Sequence, residues 1–276
     1  VADEPDDVDD VDDVDAMVEP VVPSRHRWLA GLLGAGPGDR VVDLGCGTGA
    51  SLIQVVPDLR GGGGSGMAVG VDASLAVLGR AADALAPAVA AGAARVLLVQ
   101  ADLKDRLPFP DDAFDRVLSH NVLECLPDPE GLAVEAGRVL HPGGRLVLSH
   151  SDFDTLVFAS EDLDLTRRLV RAYCDAQQPW MDAVDGTIGR RLAAIAGRAG
   201  LDVLDVQAQV VLDRTFVPGG LGWGYARNLA DTLRGSGDAD PEELDGWLAG
   251  LRRLDAQGAF LFSVNDYAVI CGRIRP

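Results

Sequence analysis

The chain has 276 residues, 47% of them hydrophobic, which fits a globular protein and excludes disorder throughout. Its formal charge is −19, and no Lys/Arg cluster stands against that acidity. Nucleic acid and anionic membranes are therefore poor partners, because phosphate contacts supply most of such affinity. Four scattered cysteines, Cys46, Cys125, Cys174 and Cys271, form no C-x-x-C and keep no ligand-like spacing to histidine, so no metal site is expected.

Residues 1–19 hold ten acids and no base. Within them, the Asp-Asp-Val repeat of residues 3–15 repels itself and buries little, which predicts a disordered acidic tail. From residue 20 onward no convincing linker interrupts the chain, and a single domain over 20–276 is expected. No apolar run reaches the roughly 18 residues a membrane helix needs. No basic-then-apolar signal opens the chain, so a cytoplasmic protein is the expectation.

RHRWLAGLLGAGPG, from Arg25, reads as a short helix closed by Gly and Pro. A regular alternation follows. Short apolar runs near 40–45, 67–72, 95–100, 115–120 and 143–150 read as buried strands. Helices fall between them near 50–58, 74–90 and 129–139, and Gly61 to Gly66 reads as a flexible connection. Alternating β and α elements predict a parallel sheet covered on both faces. Past Ser149 the pattern changes: helices near 160–177 and 186–199, a strand at 201–213, helices near 222–234 and 241–256, and a last strand over 260–274. Asp240, Pro241, Glu242 and Glu243 give the helix at 241–256 a clear start.

The chemistry concentrates in VVDLGCGTG (41–49), a strand running into a glycine turn and a helix. The glycines permit close backbone approach to a ligand, and the helix start offers free N–H donors. Read loosely, Gly45, Gly47 and Ala50 also match a dinucleotide fingerprint. Asp43 discriminates: a carboxylate two residues before the first glycine would repel a pyrophosphate and suits an ammonium or sulfonium. Asp72, ending the second strand, is placed to accept from ribose hydroxyls. Asp102 follows the third strand, where its carboxylate could accept from an adenine amino group.

These segments, with VGVDAS, QADLKDRLPFPDDAFDRVLSHNVLECLPDP and RVLHPGGRLVLS, resemble the class I S-adenosylmethionine-dependent methyltransferases, most of all the quinone and natural-product branch. The resemblance covers residues 24–150. It implies a doubly wound, Rossmann-like α/β sheet of seven strands in the order 3-2-1-4-5-7-6, the last strand antiparallel. It assigns Asp43, Gly45, Cys46 and Gly47 to the methionine part of the cofactor, Asp72 and Ala73 to the ribose, and Asp102 and Leu103 to the adenine. His120 and Asn121 would approach the methyl donor. Arg25 would pair with the cofactor carboxylate or else be a solvated surface residue.

The implied reaction is in-line attack of an O, N or C nucleophile of a small molecule on the sulfonium methyl, with the protein supplying positioning and proton removal. His120 and His150 are the candidate bases; each could instead be a packed core histidine. Glu124, Asp152 and Asp154 are further ionisable candidates, His141 reads as structural and His26 as a surface residue. The acceptor is expected over strands four and five, covered by helical segments at 151–200 and 214–258. Trp180 and Met181, with Trp223, Tyr225 and Trp247 beside the glycine-rich run 217–222, are the aromatic or apolar candidates there. Alternatives are non-methylating chemistry on the same cofactor, a non-catalytic regulatory subunit or, disfavoured by Asp43, a nicotinamide oxidoreductase. Monomer and homodimer both remain open. Family and composition point to bacterial secondary metabolism.

Overall fold

The computed structural model describes residues 22–61, 66–92, 94–177, 181 and 185–273. The acidic repeat, Trp180 and the centre of the Gly61–Gly66 run lie outside them. Helix α1 (Pro23–Leu33) opens with Pro in its first turn and stops where Gly34 turns left-handed, φ 58°. Strand β1 (Arg40–Leu44) leads into α2 (Ala50–Val55) and a short 3-10 turn, Val56–Leu59. Strand β2 (Met67–Asp72) leads to α3 (Leu75–Ala90), capped by Ser74, whose hydroxyl accepts from the Val77 N–H. Strands β3 (Arg95–Gln100) and β4 (Phe114–His120) follow, then α4 (Pro129–Val139), capped by Asp128.

Strand β5 (Leu140–Phe158) precedes α5 (Leu163–Asp175) and α6 (Ile188–Arg198). After β6 (Leu201–Asp213) come α7 (Leu221–Ser236), α8 (Pro241–Ala256) and β7 (Phe262–Arg273). The sheet order is β3-β2-β1-β4-β5-β7-β6. β7 runs antiparallel to both its neighbours, and the other pairings are parallel. The topology implied by the sequence resemblance is the one observed.

Period-two alternation sorts the side chains of each strand onto opposite faces. Val41, Leu118 and Val147 face Leu29, Leu52 and Leu85 of α1, α2 and α3, while Val42, Val117 and Leu146 face Leu132, Leu192 and Ile195 of α4 and α6. A further apolar core joins the end of β5 and β7 to α5, α7 and α8 through Phe153, Tyr173, Tyr225, Trp247 and Phe262.

One boundary departs widely from expectation. β5 runs eight residues past the predicted end at 150, so 151–158, expected as part of a helical cover, is strand. The four residues of the polar run Ser149 to Asp152 are fully buried. Each is satisfied by a partner from elsewhere in the chain, and β7 pairs with the strand out to Phe158.

Candidate functional site

The carboxyl ends of β1, β2 and β4 meet where the strand order reverses, the usual crevice of such sheets. There the chain leaves β1 through Gly45, Gly47 and Gly49, all left-handed at φ 75°, 52° and 80°. The N–H groups of Gly45 and Cys46 both donate to the Val71 carbonyl, at 2.8 and 2.9 Å. At Gly45 a Cβ would stand 2.3 Å from Val122 Cγ2, whereas at Gly47 it would meet nothing within 4 Å. Open space over Gly47 is what a backbone approached by a ligand requires.

Asp72 accepts from the Gly47 N–H (3.0 Å) on one oxygen and from the Ser74 N–H (3.0 Å) on the other. Both oxygens are thereby oriented, and each keeps a lone pair for a ligand hydroxyl. Asp43 is buried, and burial together with the charge of Asp72 pushes its carboxyl up to about 7. An ammonium or sulfonium beside it would reverse that shift, so the donor set fits a cationic ligand bearing a diol. Burial, with Asp43 and Asp72, pushes the Cys46 thiol far up, which makes it an inert packing group. Asp102 is exposed and accepts from the Lys104 N–H at 2.9 Å, beside the buried Leu103, and Ala73 is exposed next to Asp72.

At the ends of β4 and β5, His120 Nδ1 lies 3.3 Å from Ser149 Oγ, and its Nε2 is buried with no hydrogen-bond partner among the described residues. Burial, then the charge of Arg25, holds this imidazole well below its usual value. Asn121 adopts φ 52°, uncommon for a residue with a side chain. It is held there by its N–H to the Ser149 carbonyl (3.1 Å) and by its Oδ1 accepting from the Ser151 N–H (2.9 Å).

His150 differs from His120. Its Nδ1 lies 2.5 Å from the Ser151 carbonyl and its Nε2 is bonded to the buried Glu124 carboxylate. Both ring nitrogens are engaged inside the protein, which sets His150 and Glu124 together as a buried pair. Asp152 is likewise tied, accepting two bonds from Arg190 at 2.6 Å each, and Asp154 accepts from the same guanidinium at 3.2 Å.

Arg25 is not a surface residue. It is fully buried and donates to Asp266 at 2.7 and 3.1 Å and to Ser151 Oγ at 3.3 Å. His26, expected at the surface, lies edge-on to His120 (ring centres 5.8 Å apart) and 2.9 Å from Ser51 Oγ. The sequence reading missed Asp266 and Ser51. Asp266 had a signal: a lone acid in the apolar run of β7, which burial obliges to find a cation.

Of the acceptor-side aromatic residues, Tyr225 is buried and stacked on Phe262 at 5.3 Å, and Trp247 packs on Phe158 while donating to Thr166 Oγ1 at 2.9 Å. These are core contacts of the helical cover. Trp223 is half-buried with Arg227 over its ring. Met181 is buried in the same core. The described residues contain no group of acids, histidines and cysteines able to hold a metal, and no helix long and apolar enough to cross a membrane.

A family profile described as a methyltransferase domain matches residues 35–211. The chain is 37% identical over 120 residues to the 27-O-demethylrifamycin SV methyltransferase of Amycolatopsis mediterranei, covering 44% of this chain and 41% of that protein. It is 34% identical over 159 residues to the 2-phytyl-1,4-naphtoquinone methyltransferase of Synechococcus elongatus, covering 54% and 64%. The chain spans about half the length of the curated relatives it matches. In fold it is similar to the YcgJ protein of Bacillus subtilis, with TM-score 0.60, 20% identity and coverage of 92% and 100%. The [4+2]-cyclase SpnF is also similar, with TM-score 0.55, 19% identity and coverage of 92% and 82%.

Proposed function

The chain belongs to the methyltransferase-domain family, and from that premise we propose that it transfers the methyl group of S-adenosylmethionine to a small, ring-bearing metabolite. The observation that carries the reading is Asp43, a carboxylate buried beside the glycine turn and pushed up to about 7, which a cationic ligand would return to its charged form. Asp43, Gly45 and Gly47 would hold the methionine part, Asp72 the ribose, and Asp102 with Leu103 the adenine. When bound, S-adenosylmethionine supplies an electrophilic methyl group, so the protein's own work is orientation, exclusion of water and removal of a proton. His120 suits that last duty. With Nδ1–H donating to Ser149 Oγ, the lone pair of Nε2 is free to take a proton from an acceptor hydroxyl. The rifamycin and naphthoquinone relatives support an aromatic or natural-product acceptor, and the acidity of the chain speaks against a polyanionic one.

The test is incubation with methyl-labelled S-adenosylmethionine and a panel of phenols, quinols and naphthoquinones, with cofactor affinity measured in parallel by calorimetry. Cofactor binding with label in an aromatic product is expected. Failure to bind the cofactor would overturn the reading, and a product isomeric with its substrate would favour non-methylating chemistry.

A further inference from the structure

Strand β6 closes one side of the sheet, and β7 is its sole ladder partner among the described residues. Sheet edges are normally blunted by Lys, Pro or brevity. This edge has none of these: it is 13 residues long and contains no Lys, Arg or Pro. Several of its apolar side chains are also left in water. Val206, Val210 and Leu212 are 51%, 59% and 60% exposed.

The middle of that edge reads the same in both directions. Val206-Gln207-Ala208-Gln209-Val210 is a palindrome about Ala208, with Leu204 and Leu212 at its ends. An antiparallel strand met by its own copy around a two-fold axis pairs residue i with its mirror position, and a palindrome then places like with like. Centred on Ala208, each Val206 faces the partner's Val210, each Gln207 faces the partner's Gln209, and the two small Ala208 residues meet on the axis. Asp205 faces the partner's Val211, so no acid opposes an acid within this stretch. Valines opposite valines remove exposed apolar surface, and Gln side chains opposite one another can exchange amide hydrogen bonds.

We propose that β6 is a self-association edge, through which two copies of this chain join their sheets antiparallel about Ala208. The register of β6 against β7 shifts between Val203 and Asp205, and a bulge there bends the strand, so the straight stretch open to a second copy begins at Asp205. The join lies at the opposite side of the sheet from β1, β2 and β3, so each copy keeps its own crevice.

The experiment is sedimentation velocity on the full chain and on two variants. The parent chain is expected to sediment as a dimer. Ala208→Lys, at an exposed position, sets two like charges on the axis and is expected to give a monomer with unchanged circular dichroism. Ala208→Cys is expected to cross-link to a covalent dimer on oxidation, since Cα atoms facing each other across antiparallel strands lie about 4.5–5.5 Å apart, within the range of about 4.4–6.8 Å that a disulfide spans. The parent chain, oxidised alongside, reports any bridging through Cys125. A monomeric parent would overturn the proposal, as would a dimer that survives Ala208→Lys and shows no cross-link specific to Ala208→Cys.

Discussion

Arg25, from the first helix, and Asp266, from the last strand, form a fully buried ion pair across 241 residues of sequence, with two hydrogen bonds at 2.7 and 3.1 Å. It fastens α1 to β7 beside His120. Taking one charge away leaves the other uncompensated in the interior, which costs about 3–5 kcal/mol. Arg25→Met or Asp266→Leu is therefore expected to lower unfolding free energy by that amount in urea titrations. The double variant should recover much of the loss, since a buried pair replaced by apolar groups of similar volume is often neutral. Additive losses would mean that Ser151 and Gln209, which also bond Asp266, matter more than the charge pair.

The carboxyl of Asp43 carries a pH signature. Its folded value of about 7 lies above the ordinary 3.8, through burial first and Asp72 second. Between those values the folded chain holds a proton that the unfolded chain has released, so stability falls as pH rises through that window. Asp43→Asn should flatten this slope in denaturation curves of the cofactor-free protein. A cation favours the charged form, so cofactor binding near pH 6 should expel a proton and tighten as pH rises toward about 7. Calorimetry in two buffers of different ionisation heat reads that proton directly, and its absence would remove Asp43 from the cofactor site.

Asp72 and Gly47 separate binding from folding. Asp72→Ala removes a charged acceptor and is expected to weaken S-adenosylmethionine by about 1.5–3 kcal/mol. Gly47→Ala meets no protein atom within 4 Å but must hold φ 52°, a strain of about 1–2 kcal/mol. If the cofactor lies over this turn, that Cβ obstructs it, and affinity should fall by more than stability does. Equal losses of affinity and stability in Gly47→Ala would place the ligand elsewhere.

The sheet and its glycine turn were legible because their signals are local: apolar runs bounded by turn residues, and Asp43 at a fixed distance from Gly45. The course of β5 was not. Residues 151–158 read as the start of a helical cover. They are strand because β7 pairs with them and because Asp266 and Arg190, each far away in sequence, satisfy Ser151 and Asp152. The same cause hid the difference between the two histidines. His120 and His150 both end strands at the crevice, and only the position of Glu124 in three dimensions decides which ring is spoken for. On the acceptor side, Trp247 and Tyr225 were visible as aromatic residues on a covering segment. That they face Phe158 and Phe262 as core depends on the extension of β5 and on its pairing with β7.

That difference gives the last expectation. For a hydroxyl acceptor, His120→Asn should lower kcat by about 10²–10⁴-fold while cofactor affinity stays within a few-fold, because one positioned base contributes on that order. His120 is held well below the ordinary imidazole value by burial and by Arg25, so the base stays unprotonated in mildly acid buffer. The rate should hold its plateau on the acid side of neutrality and decline only below the range in which a free imidazole titrates. His150→Asn acts differently: it strips the partner from the buried Glu124 carboxylate, and its effect should be read in stability, with kcat little changed in whatever fraction stays folded. Folded His150→Asn without turnover, beside active His120→Asn, would exchange the roles assigned to the two rings.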